Sequence, residues 1–175
     1  WHTEDDTLEI ADREILLRDM KVYLAAVLGV ANAGILPFDW RATAAELRET
    51  LAGYQKAAGD RFDLGPARAA RAGLAAALDA FHLELEAGKI PAATANALIR
   101  DLARVLVPVN FTRGPRFRHD PALPIPPLPD LALCRDLDGL DETGLAFARN
   151  TLLRGRNRVT AALRAATRRV AAARS

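Results

Sequence analysis

A chain of 175 residues and 18.9 kDa, half of it hydrophobic, with 26% charged residues and a mean hydropathy near zero, has the composition of a globular domain and excludes a disordered one. Its single cysteine, Cys134, rules out an internal disulfide and leaves the redox compartment open. Net charge is only +2, yet residues 1–14 hold Glu4, Asp5, Asp6, Glu9, Asp12 and Glu14 against Arg13, whereas residues 142–175 hold eight arginines against Glu142.

Asp12, followed by Arg13, Glu14 and Ile15, reads as an N-cap and predicts a helix to about Ala33, with Gly34 as its stop. Its apolar positions Ile15, Leu16, Met20, Val22, Tyr23, Leu24, Val27, Leu28 and Val30 leave a narrow polar strip near Glu14, Arg18, Lys21 and Asn32. That face is wider than a surface helix needs, so cover on two sides is expected. The longest uncharged run, residues 22–38, contains Gly29, Asn32, Gly34 and Pro37 and falls short of the ~20 residues a bilayer span requires. No basic stretch followed by an apolar core and a small-residue cleavage site opens the chain, so no secretory signal is expected, and localisation stays open.

Pro37 disfavours helix at Leu36 and makes 35–39 an extended break. Thr43 and Glu46 form a capping-box pattern, after which Leu47, Leu51, Tyr54 and Ala58 recur at helical spacing until Gly59. A third helix starts at Asp63 with Pro66 in its first turn, has the seam Leu74, Leu78, Phe81 and Leu85, and closes at Gly88. A fourth begins near Pro91 and buries Ala95, Leu98, Leu102 and Val105. Seven of the ten prolines fall in 108–129, where regular helix is not expected and polyproline-like chain is; a long loop of this kind is functional or a linker.

Asp138-Gly139 then makes a turn, Asp141 caps, and a last helix runs from about Glu142 to Ala173. Its stripe is Leu145, Leu152, Val159, Leu163, Ala166 and Val170, with Gly155 an internal weak spot. No strand-period run of useful length occurs. The expected fold is all-α: a four-helix bundle-like domain with a long Pro-rich loop before its last helix, preceded by one extra N-terminal helix.

Three motifs carry a resemblance. Trp1-His2-Thr3, then Asp6-Thr7-Leu8-Glu9, then a helix ending Ala31-Asn32-Ala33, resembles the C-terminal end of the peptidase domain in the di-zinc aminopeptidases and carboxypeptidases that include glutamate carboxypeptidase. Leu36-Pro37-Phe38-Asp39 is similar to the junction where the subgroup that contains the transferrin receptor passes into a helical dimerisation domain. Phe62-Asp63 at a helix start and Arg116-Phe117-Arg118-His119 in the Pro-rich loop extend the match. The resemblance implies that 1–36 ends a zinc-peptidase domain and that 37–175 is a transferrin receptor-like dimerisation domain.

The resemblance also implies roles. His2 is the last zinc ligand of a parent enzyme, with Asp6 accepting from its other ring nitrogen. Arg116, Arg118 and His119 reach the peptide substrate of that parent, the arginines as a carboxylate clamp, unless they only anchor the loop to its own helices. Where glutamate-specific members have a Lys-Tyr pair downstream in this loop, prolines and leucines stand here, so glutamate specificity is not implied. The implied partners are a second copy, the upstream peptidase domain and, in the parent, a peptide; zinc belongs to the parent. A catalytic zinc needs about three protein ligands, so His2 in this chain alone reads as a solvated histidine and no hydrolase activity is expected.

The remaining candidates read as structural. Cys134 is expected as a buried small side chain, His82 as an edge residue beside the Leu78/Phe81/Leu85 seam, and Asn110-Phe111-Thr112 as a sequon in form only. The arginines of the last helix offer a rival function, nucleic-acid binding, but they spread around the helix and no aromatics interleave with them. A solvated helix is the expected reading, with Arg149 and Arg156 flanking the apolar stripe where they could pair across an interface. The preference for arginine over lysine, 21 to 3, with abundant alanine, is a composition typical of GC-rich bacterial genomes.

Overall fold

The computed structural model describes residues 4, 5, 7–112 and 124–174. Among them all regular structure is helical: α1 (Arg13–Ala31), α2 (Trp40–Ala58), α3 (Gly65–Glu86), α4 (Ala92–Phe111) and α5 (Glu142–Ala172), with 3₁₀ segments at Leu8–Ile10 and Pro129–Arg135. The fold is all-α, a bundle-like domain of α2 to α5 with α1 as an extra N-terminal helix. The chain divides into two compact units, residues 1–37 and 38–175.

In the first unit the Asp12 carboxylate accepts from the backbone N–H of Glu14 at 2.8 Å and of Ile15 at 3.0 Å, satisfying two donors that a helix start leaves free. At the other end the Asn32 side chain donates to the Leu28 carbonyl at 3.0 Å and the helix stops at Ala31, a turn before Gly34. Ten large apolar side chains between Ile15 and Val30 are exposed, and α1 buries no residue.

The second unit begins differently from the sequence pattern. The N-cap of α2 is Asp39, not Thr43, and its carboxylate accepts from the Arg41 backbone and from the Arg41 guanidinium. Trp40 then donates its indole N–H to the Ile99 carbonyl on α4 at 3.1 Å, a contact across 59 residues that fixes where α2 starts. Farther along, Gln55 donates to the carbonyls of Gly59 and Phe62 and accepts from the Leu64 N–H, so one side chain holds the turn into α3. Gly59 in that turn has φ +53°, a conformation that costs glycine nothing.

The core follows the predicted seams. Leu47, Leu51, Tyr54 and Ala58 of α2 are buried with Leu74, Leu78 and Phe81 of α3, Ala95, Leu98 and Leu102 of α4, and Leu152, Val159, Leu163, Ala166 and Val170 of α5. α3 packs against α2 and α5, and α4 packs against α5. Each fully buried Leu or Phe removes enough apolar area from water to contribute about 1.5–3 kcal/mol.

The Pro-rich stretch departs most from expectation. α4 continues through Pro108 to Phe111, because the missing proline N–H falls in the last turn, where its usual acceptor belongs to the exposed Arg104. Pro108 keeps its carbonyl in use: Thr112 Oγ1 donates to it at 2.6 Å and Arg158 at 3.0 Å. Residues 129–135 are not polyproline chain but a 3₁₀ helix packed on α2, α4 and α5, and Leu128, Leu131, Cys134 and Leu137 are all buried in the core. Gly155 is likewise no weak spot. A Cβ there would lie 2.5 Å from the Asp130 carbonyl oxygen, so the missing side chain is what lets the 3₁₀ segment seat against α5.

Candidate functional site

The residues that the zinc-peptidase resemblance singles out, His2, Asp6, Arg116, Arg118 and His119, lie outside the described residues. What is described is the pair of chain ends between which 113–123 fall. Asn110, only 2% exposed, accepts twice from the Leu128 N–H, through its backbone carbonyl at 3.3 Å and its side-chain Oδ1 at 3.2 Å. Tyr54 Oη donates to the Pro127 carbonyl at 2.7 Å, the Arg135 guanidinium lies 5.0 Å over the Tyr54 ring, and Arg158 ties Asp130 to the Pro108 carbonyl. The two ends are thus bonded together at a buried point.

Asn110 therefore works as a structural fastener, and its burial explains why the sequon is one in form only. Sequence reasoning missed that role. The available signal was a lone amide on the apolar face of a helix just before a Pro-rich segment.

Four of the eight C-terminal arginines are committed inside the chain. Arg149 donates to the Arg61 carbonyl and Arg156 to the Asp63 carbonyl, both at 2.9 Å, and Arg156 also lies 5.3 Å over the Phe62 ring. These two clamp the turn between α2 and α3. Arg158 pairs with Asp130, and Arg174 makes two hydrogen bonds to Glu84, which hold the Glu84 carboxyl below its usual value. The outward arginines left on α5 are at 154, 164, 168 and 169, and Arg169 donates to the Ala165 carbonyl of its own helix.

His82 sits at the edge of the seam as expected, 18% exposed at its side chain, with Nε2 3.3 Å from Asp39 and its ring edge-on to Phe81. Asp39 is held below the usual carboxylate value chiefly by the Arg41 hydrogen bonds, with His82 adding a smaller attraction. Cys134 is fully buried, and burial pushes its thiol up to about 11, so it is a core side chain without thiolate character at neutral pH. Among the described residues no three His, Cys, Asp or Glu side chains stand together as a metal would need, and no helix is long and apolar enough to cross a membrane. No family model, curated protein or solved structure matches the chain.

Proposed function

We propose that the chain is a homodimerisation module of a zinc-dependent exopeptidase, without catalysis of its own. The observation that carries the reading is apolar helix surface left without cover: ten large side chains on α1, with Leu83 of α3 at 68% exposure on the bundle. Scattered exposed apolar residues are ordinary, but a helix apolar around roughly two thirds of its circumference at 100° per residue belongs between layers of a larger protein. α1 then serves the adjoining peptidase domain, and the bundle serves a second copy about a two-fold axis. The zinc-peptidase part rests on the His2-Thr3, Asp6-Thr7 and Leu36-Pro37-Phe38-Asp39 motifs.

The bonded neck at Asn110 and Leu128 supports the second half of the reading. A fixed base at the two described ends that flank residues 113–123 suits a module that completes a neighbouring cleft, the part that the resemblance assigns to Arg116, Arg118 and His119. The module is tested by light scattering: a dimer near twice 18.9 kDa supports it, and a monomer at all concentrations rejects it. Peptide cleavage by the purified chain that disappears with a chelator would reject the non-catalytic part.

A further inference from the structure

We draw no further inference here: the strongest candidate, the open apolar face of α1 between Ile15 and Val30, carries nothing beyond the reading above, because nothing in the structure shows what covers it.

Discussion

α1 and α5 are both long helices rich in apolar residues, yet α1 buries none of its 19 residues while α5 buries eight of its 31. The difference lies in how the apolar positions are arranged. In α5 they form one main stripe, with only Phe147 and Leu153 as large apolar side chains exposed off it, so two helices and a 3₁₀ segment complete its surroundings. In α1 the apolar arc is far wider, and no single packed face can use it. Apolar content measures the wish for burial, and angular width measures how many neighbours that burial needs.

That contrast is sharpest in the response to truncation. Leu152→Ala, in the α5 stripe, is expected to cost about 2–5 kcal/mol in urea unfolding, from lost transfer energy and a cavity. The comparison breaks if Leu24→Ala in α1 costs as much. Gly155→Ala comes next, at about 1–3 kcal/mol, because the new methyl must push the Asp130 backbone away from α5. An unchanged midpoint there would show that the 3₁₀ segment is not seated as described.

Removing the α2 cap by Asp39→Ala is expected to cost about 0.5–2 kcal/mol. The sign of its pH dependence follows from the Arg41 hydrogen bonds, which lower the Asp39 carboxyl in the folded chain. Its contribution is complete above the unfolded value of about 4 and fades as pH falls through the lower folded value, so the variant loses part of the acid-limb dependence of stability. Identical acid limbs would remove Asp39 from the stability of the α2 start. The smallest effect is expected from Leu24→Gln: unfolding of the bundle within about 0.5 kcal/mol of wild type, checked by denaturant titration.

Much of this fold could be read from local chemistry. Asp12, Asp63 and Asp141 sit where helices start, Gly59 and Gly88 where they end, and the seams of the bundle helices are buried nearly as the spacing predicts. Thr43 was a fair capping pattern that lost to Asp39, because the Trp40 bond to Ile99 lies outside any local window. The Pro-rich stretch was obscured by its prolines. Leu128, Leu131, Cys134 and Leu137 are spaced by three, the period of a 3₁₀ helix, and that was the legible sign. The arginines of α5 could not be sorted by sequence, since donors to backbone carbonyls and donors to solvent look alike.

The most direct measurement is the solution molar mass of the wild-type chain by light scattering, over a wide concentration range and at two salt concentrations. A dimer near twice 18.9 kDa that persists at both salts is the expected result, since burial of apolar surface is not screened by salt as exposed charge pairs are. A clean monomer at every concentration would contradict the homodimerisation module.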